Sequence, residues 1–161
     1  IYGLEENDSQ RVTTPDRSYV SVGFRLFRPA EIQQWDVDLE AAYRSGTRYA
    51  SSNPSDTDSL KVRARMLFAA LGYTFDSAWQ PRLSLEYYYA SGDDDPNDNK
   101  FDQYERLFGG RRTDLNNTSI HRPLTPANLS APGVRLRVKP NDRLDGWFQY
   151  HAASLASAIF L

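Results

Sequence analysis

The sequence predicts an all-β protein, an antiparallel up-and-down transmembrane β-barrel, of which this chain supplies roughly six or seven strands of about 9–11 residues each. Three observations lead to that prediction. Apolar and polar residues alternate over several stretches, with the period of a β-strand. The connections between these stretches are long and short in strict alternation. The residues between the apolar positions are mostly Arg, Asp and Glu, which stay hydrated in a water-filled lumen while their apolar neighbours meet lipid.

The alternation is clearest over residues 35–44, where Trp, Val, Leu, Ala and Tyr fall on one side and mostly charged residues fall on the other. Within the strand predicted at 60–73, Val62 is expected to face outward. Its neighbours Arg63 and Arg65 are expected to face inward. Further strands are predicted at residues 1–4, 17–27, 82–89, 134–139 and 144–152.

The connecting segments are rich in Ser, Asn, Asp, Gly and Pro, as turns and loops are. The long ones are 5–16, 45–59 and 91–132, and the short ones are 28–34, 74–80 and 140–143. Outer-membrane barrels carry their long loops on the extracellular side and their tight turns on the periplasmic side. A soluble β-sandwich binding module has no reason to segregate the two kinds, and it is kept as the alternative class. Extraction distinguishes the two, since only a barrel requires detergent.

Composition narrows the choice further. The formal net charge of -2 argues against a general nucleic-acid binder, and the absence of cysteine excludes disulfides and thiolate metal sites. The mean hydropathy of -0.65 excludes helical membrane spans but is compatible with a barrel, in which only alternate strand residues face lipid. A closed barrel needs at least about 8 strands. We therefore expect residues 1–161 to form part of a single barrel domain that is incomplete at both ends.

Aromatic residues mark both ends of the predicted strands. Trp35 and Trp79 lie near short turns, whereas Tyr43, Tyr87 and Tyr89 lie near long loops. Amphipathic rings are favoured at the two membrane interfaces, which predicts outer-membrane lipid as a partner. The alternative explanation is the ordinary strand propensity of aromatic residues.

Three segments of the chain resemble a known family. ASGDDDPND is followed by FDQYERLFGGRRTDL and later by LSAPGVRLRVKPNDRLDGWFQY, and these words are similar to the alginate-export family of Gram-negative outer-membrane β-barrel proteins. The resemblance implies a location in the outer membrane of a Gram-negative bacterium and passage of an anionic polysaccharide such as alginate, as in an export porin. A general anion-favouring porin for uptake of small solutes is the alternative. An export porin can also have periplasmic partners, and the sequence does not identify them.

Charged residues on the inward side of the strands are predicted to line the pore and meet the anionic solute. Across the 45–59 loop, hairpin geometry is expected to place Glu40 near Arg63 and Asp38 near Arg65. Basic residues left without a neighbouring carboxylate would make the lining anion-selective; the alternative is a structural charge ladder of the kind that any porin wall carries. The predicted pore-lining residues are Arg25, Arg63, Arg65, Arg82, Arg135, Arg137, Asp38, Glu40 and Glu86, with Arg82, Arg135 and Arg137 as the unpaired cations.

The acidic part of the longest loop places oxygen ligands at alternate positions. Asp93, Asp95 and Asn97 have the spacing of a calcium loop, which makes calcium the one cofactor to consider. The glycine and the closing Glu of such loops are missing, so a solvated extracellular turn is the alternative.

The segment 101–112 follows, with aromatic and basic residues spaced to pack against something. We expect it to fold back into the pore as a constriction whose charged tip is Arg106, Arg111 and Arg112. An ordered outer lid is the alternative.

An enzyme is not expected. Asp145, His151 and Ser154 are close in sequence, but no motif supports a catalytic triad. The chain also lacks a glycine-rich phosphate loop, zinc-ligand spacing and a nucleic-acid platform.

Overall fold

The computed structural model describes residues 1–7, 15–53, 55–105 and 127–158. In these ranges the regular structure is one eight-stranded β-sheet. None of the described residues forms a helix long and apolar enough to cross a membrane. The strands are β1 (Tyr2–Glu6), β2 (Arg17–Arg28), β3 (Trp35–Tyr49), β4 (Ser59–Thr74), β5 (Arg82–Ala90), β6 (Lys100–Phe101), β7 (Leu129–Asn141) and β8 (Leu144–His151).

The strands follow one another up and down in the order β1-β2-β3-β4-β5-β7-β8, each antiparallel to its neighbours. The two-residue β6 pairs parallel with β4 where β5 has ended. Among the described residues the sheet is not closed, with β1 and β8 as its edges. This confirms the predicted all-β, antiparallel up-and-down architecture of a partial barrel.

The hairpin of β3 and β4 is longer than the sequence predicts. The two strands have 15 and 16 residues, and their pairing runs from Trp35 opposite Tyr73 to Tyr49 opposite Ser59. The sequence predicts a loop from residue 45 onward because the segment 45–59 is rich in Ser, Asn, Asp and Gly. Residues 45–49 remain in the sheet because β3 is hydrogen-bonded along both sides here, to β2 as well as to β4. The hairpin therefore extends past the roughly 9–11 residues that a membrane crossing requires.

The sheet has two chemically different faces. Strand register places Asp38 opposite Ala70 and Ala70 opposite Glu86, so these side chains share one face, which we call the inner face. The buried residues of the strands lie on it: Tyr19, Ser21, Asp36, Arg44, Val62, Ala64, Ala70, Ser84, Glu86 and Ala131. The opposite, outer face exposes large apolar side chains: Val20, Val22, Phe24, Leu26, Leu71, Leu83, Leu85, Leu136, Phe148 and Tyr150.

The facing predicted for β4 is wrong. Val62 lies on the inner face, and Arg63 and Arg65 lie on the outer face. The alternation was ambiguous because residues 66–71 form an unbroken apolar run. Val62 faces inward because Phe101, from the long loop, packs against it on that face and makes it part of a buried cluster.

The prediction that Glu40 lies near Arg63 and Asp38 near Arg65 is also wrong, because the facing of β4 is reversed. Glu40 pairs with Phe68 and Asp38 with Ala70, so neither acid lies beside those arginines.

Aromatic side chains gather at the short-turn end of the outer face. The rings of Trp35 and Tyr73 lie 5.3 Å apart, and those of Tyr73 and Phe75 lie 5.0 Å apart. At the other end, Tyr43 and Tyr89 flank the same apolar surface from neighbouring parts of β3 and β5. The outer face is thus bounded by aromatic residues at both ends.

Candidate functional site

From the short-turn end to the middle of the strands, the inner face carries a series of ion pairs between strands, which we call the ion-pair ladder. The Arg25 guanidinium donates to both oxygens of Asp38, at 2.9 and 2.7 Å. This pair joins β2 to β3 diagonally, since Arg25 lies directly opposite Glu40. Cross-strand charge pairs of this kind fix the relative position of neighbouring strands.

Arg82 and Asp36 form a second pair, which spans three strands. Arg82 Nε donates to Asp36 Oδ2 at 2.8 Å, although Arg82 is on β5 and Asp36 is on β3. The guanidinium passes over Gly72 of the intervening β4: a Cβ added there would lie 2.5 Å from Arg82 Nη2. The third guanidinium nitrogen donates to Ser84 Oγ at 3.2 Å. The absence of a side chain at Gly72 is therefore what lets this pair form.

Glu86 is the centre of a third group, and it repeats the same arrangement. Arg135 Nε lies 3.1 Å from Glu86 Oε1, and His151 Nε2 lies 3.4 Å from Glu86 Oε2. His151 is on β8 and reaches Glu86 on β5 across Gly133, where an added Cβ would lie 2.1 Å from His151 Cδ2. Ser84 Oγ donates to Glu86 Oε1 at 3.3 Å.

The prediction that Arg82, Arg135 and Arg137 lack an acidic neighbour is wrong. Arg82 pairs with Asp36 and Arg135 with Glu86, as described above. Arg137 donates through Nε to Asp145 Oδ1 at 2.8 Å. Adjacent-strand reasoning could not find the first of these pairs, because its partners are separated by a whole strand.

The remaining predicted site residues fall into three groups. All of the charged residues predicted to line the pore lie on the inner face except Arg63 and Arg65. Arg106, Arg111 and Arg112 lie outside the described residues. Asp145, His151 and Ser154 are not brought together, because Asp145 pairs with Arg137, His151 with Glu86, and the Ser154 hydroxyl donates to Ser130 O.

The acidic turn of the long loop closes on its own backbone. Asp93 Oδ1 accepts from Asp95 N at 3.3 Å, and Asp95 Oδ1 accepts from Asn97 N at 3.0 Å. Burial raises the pKa of the Asp93 carboxyl. Among the described residues, no group of three or more His, Cys, Asp or Glu side chains is placed to hold a metal ion. Calcium at these residues stays a prediction.

At the long-loop end of the inner face, three arginines that we call the arginine cluster surround one residue of the loop. These are Arg17, Arg44 and Arg48. Arg48 Nη1 lies 2.7 Å from Glu105 Oε1, and Arg17 Nη1 lies 3.4 Å from Glu105 Oε2. Arg44 Nη1 donates to the Glu105 backbone oxygen at 2.6 Å. The cluster therefore holds both the carboxylate and the main chain of Glu105.

Aromatic rings stack on the same guanidinium groups. Arg44, which is only 2% exposed, lies 4.8 Å from the ring centre of Tyr104. Arg48 lies 4.0 Å from the ring centre of Phe101. Such cation–π contacts strengthen when the groups are removed from water. Residues 101–105 are thus packed against the inner face, and burial raises the pKa of the Tyr104 hydroxyl.

Sequence reasoning missed the arginine cluster as a site. Alternation predicts that Arg44 faces inward, but the sequence places Arg48 in a predicted loop and indicates no role for Glu105. Extending the alternation of β3 past Arg44 would have placed Arg48 on the same face. No sequence signal identifies Glu105 as its partner, since the contact joins residues 57 positions apart.

Comparison with known proteins identifies a family. The family model described as Alginate export matches residues 1–158, nearly the whole chain. No curated protein and no solved structure matches this chain. The family match covers every described strand of the sheet, including those that carry the ion-pair ladder and the arginine cluster.

Proposed function

This chain belongs to the alginate export family, and we propose that it forms part of the wall of an outer-membrane channel for an anionic polysaccharide of the alginate type. The inner face would line the water-filled pathway, and the outer face would meet lipid. The proposal rests on the different chemistry of the two faces and on the cations gathered at one level of the inner face.

The outer face supports the membrane placement. Apart from Val20, which lies opposite Ser45, the exposed apolar side chains named above lie between Trp35 and Tyr73 at one end and Tyr43 and Tyr89 at the other. The stretch of β3 from Trp35 to Tyr43 is close to the roughly 9–11 residues of a tilted barrel strand in a bilayer. An apolar outside with ion pairs inside is the reverse of a soluble globular domain, and it suits a barrel wall.

The observation that carries the functional proposal is the contact between the arginine cluster and Glu105. Residues 101–105 cover the inner face at this level, so they would narrow a pathway along that face. The guanidinium groups of Arg17 and Arg48 already bind one carboxylate in this structure. A uronate unit presents the same chemical group, and guanidinium forks match carboxylate geometry.

The ion-pair ladder has a complementary role in this proposal. Its arginines are neutralised by Asp36, Asp38, Glu86 and Asp145, so they do not form a continuous basic surface. At the level of the arginine cluster, Arg17 also pairs with Glu6 at 2.9 Å, so Arg17, Arg44 and Arg48 face the two carboxylates of Glu6 and Glu105 and keep a net positive charge. In this proposal a polyanion moving along the wall meets balanced sites in the ladder and this one net positive level at the long-loop end. Conduction requires binding that is favourable enough for entry and weak enough for release.

The test uses the intact protein that contains this chain, reconstituted in planar lipid bilayers. Replacing both Arg17 and Arg48 by Gln should lower the preference for anions, measured as reversal potential in a salt gradient. It should also weaken block of the current by oligouronates. The control is Arg28→Gln with Arg143→Gln, which removes equal charge from exposed positions near the short turns. Unchanged selectivity and block in the test variant would contradict the proposal.

The same recordings distinguish a polysaccharide channel from a porin for small anions. A polysaccharide channel should be blocked by oligouronates at much lower concentration than by a single uronate, because several carboxylates bind at once. Equal potency per carboxylate would favour the small-solute porin.

A further inference from the structure

Three cations on the outer face have no role in an anion pathway. Lys61, Arg63 and Arg65 occupy alternate positions of β4 and form what we call the β4 basic row. All three are exposed. They point away from the inner face, on which the ion-pair ladder and the arginine cluster lie. A polyanion moving along the inner face would not meet them.

The β4 basic row has no acidic neighbour across the hairpin. Lys61 pairs in register with Thr47, Arg63 with Ser45, and Arg65 with Tyr43. The ion pairs formed between described residues do not involve any member of the row. Lys100 on β6 lies beside Lys61 in register and is itself paired with Asp98 at 2.9 Å. The row is therefore a local surplus of positive charge.

The row begins where the apolar part of the outer face ends. From Arg65 toward the short-turn end of β4, the outward positions are Leu67, Ala69 and Leu71. Tyr43 lies directly opposite Arg65, and Tyr89 lies opposite Leu67. With the outer face in lipid, these tyrosines mark the interface, and the β4 basic row stands at the level of the lipid headgroups.

An apolar groove of about 560 Å³ lies on the outer face at the level of Ala41 and Tyr43. Its floor is Ala41, which lies between Phe24 of β2 and Leu67 of β4 in one row across the sheet. The small side chain of Ala41 leaves a channel between its larger neighbours. Arg65 lines the same groove at its upper end. A hydrocarbon chain in the groove would therefore end beside a guanidinium group.

We propose that the groove and the β4 basic row together bind an outer-leaflet lipid whose phosphate-bearing headgroup has a net negative charge. One acyl chain lies over Ala41, and the phosphate groups contact Arg65, Arg63 and Lys61. Arginine binds phosphate oxygens in pairs, whereas a zwitterionic headgroup would also bring an ammonium group against the row. This inference rests on the proposed function for the membrane placement only; it does not depend on what passes along the inner face.

The test is native mass spectrometry of the intact protein in detergent, with either lipid A or phosphatidylethanolamine added. Lipid A is the probe because the phosphate groups on its acylated sugar carry a net negative charge, whereas the phosphate of phosphatidylethanolamine is balanced by an ammonium group. Replacing Lys61, Arg63 and Arg65 by Gln should weaken retention of lipid A on the order of a hundredfold, since each cation near an anionic surface contributes about a fivefold gain. The matched control replaces Arg28, Lys139 and Arg143, which carry equal charge near the short turns. It should retain lipid A as the unchanged protein does.

A second variant tests the groove without touching the charges. Ala41→Trp fills the space between Phe24 and Leu67, and it should reduce retention of lipid A while the basic row is intact. The inference is wrong if the triple variant binds lipid A as well as the unchanged protein, if the control variant loses as much, or if phosphatidylethanolamine binds equally well.

Channel recordings on the same variants distinguish this inference from the proposed function. The triple variant should still conduct with unchanged anion preference, because the β4 basic row lies outside the pathway. Normal conduction with undiminished lipid A binding would overturn only the lipid site. Absence of anion-favouring channels in the unchanged protein would overturn the proposed function.

Discussion

Arg82 reaches Asp36 across a strand that separates them, and the two side chains meet over Gly72. His151 reaches Glu86 over Gly133 in the same way. In both cases a glycine in the middle strand leaves the space that a longer charged or aromatic side chain fills. The Arg82–Asp36 ion pair and the 3.4 Å contact of His151 with Glu86 thereby link strands that share no backbone hydrogen bonds.

Gly72→Ala is expected to break the pair between Arg82 and Asp36. The new methyl group would occupy the position of the guanidinium, and Arg82 would have to move away from a carboxylate that is only 4% exposed. Leaving that acid unpaired should lower the free energy of unfolding by about 1–3 kcal/mol. Urea unfolding of the intact protein in lipid vesicles measures this.

The matched control for that variant is Gly146→Ala, on β8. A Cβ added at Gly146 meets no atom within 4 Å. It should therefore leave the free energy of unfolding nearly unchanged. Equal destabilisation by the two variants would mean that the loss comes from backbone effects and not from the pair over Gly72.

Gly133→Ala is expected to displace His151 from Glu86. The double variant Gly133→Ala with His151→Ala should be more stable than the sum of the two single changes predicts, because the smaller side chain makes room for the new methyl group. We expect a coupling free energy of about 0.5–3 kcal/mol from a double-mutant cycle in urea. Additive effects would show that Gly133 and His151 do not compete for one space.

Strand positions and most facings followed from the sequence because polar and apolar residues alternate in β2, β3, β5 and β7. The facing of β4 did not, since its apolar run at 66–71 is compatible with either side, and Val62 is held inward by Phe101 from a distant loop. Long-range contacts of this kind are not encoded in local periodicity.

The candidate site was predictable to a similar degree. Arg25, Asp38 and Glu86 lie on the inner face, as alternation indicated. The pairing of Arg82 with Asp36 depends on the absence of a side chain in a strand between them, which only the assembled sheet reveals. The contact of Arg48 with Glu105 depends on how the long loop returns, which composition does not determine.

Glu105→Gln is expected to increase the preference for anions. The change removes the carboxylate that Arg17 and Arg48 share, and it leaves the guanidinium groups in place. Reversal potentials of the intact protein in a salt gradient measure the shift. Glu5→Gln, an exposed position on the outward side of β1, serves as the control and should have no effect. A shift toward cations in the Glu105 variant would contradict the role given to the arginine cluster.

In the loop between β3 and β4, the carboxyl group of Asp56 should titrate with a lowered pKa. Its carboxylate accepts from the Ser51 hydroxyl at 2.6 Å and from the Ser51 and Asp58 amides at 2.7 and 2.8 Å, which lowers the pKa of Asp56 below its usual value. The Asp56 contribution to loop stability is therefore present above its ordinary pKa of 3.8 and is lost as the pH falls through the lowered value.

Carboxyl chemical shifts across an acid titration test this sign. Ser51→Ala should move the Asp56 pKa upward, because the hydroxyl donor is removed. Ser52→Ala, at the neighbouring position, should leave it in place. A Ser51 variant with an unshifted midpoint would show that the hydroxyl hydrogen bond does not stabilise the charged form.

The most direct test of the central claim asks which face of β3 and β4 meets the aqueous pathway. Residues 1–161 contain no cysteine, so a single substitution here can be labelled in the intact protein once any cysteine outside this range has been replaced by Ser. A negatively charged thiol reagent should reduce the single-channel current of Arg48→Cys, on the inner face. The same reagent should leave the current of Arg63→Cys unchanged, since Arg63 is on the outer face. Current loss in the Arg63 variant with none in the Arg48 variant would contradict the account.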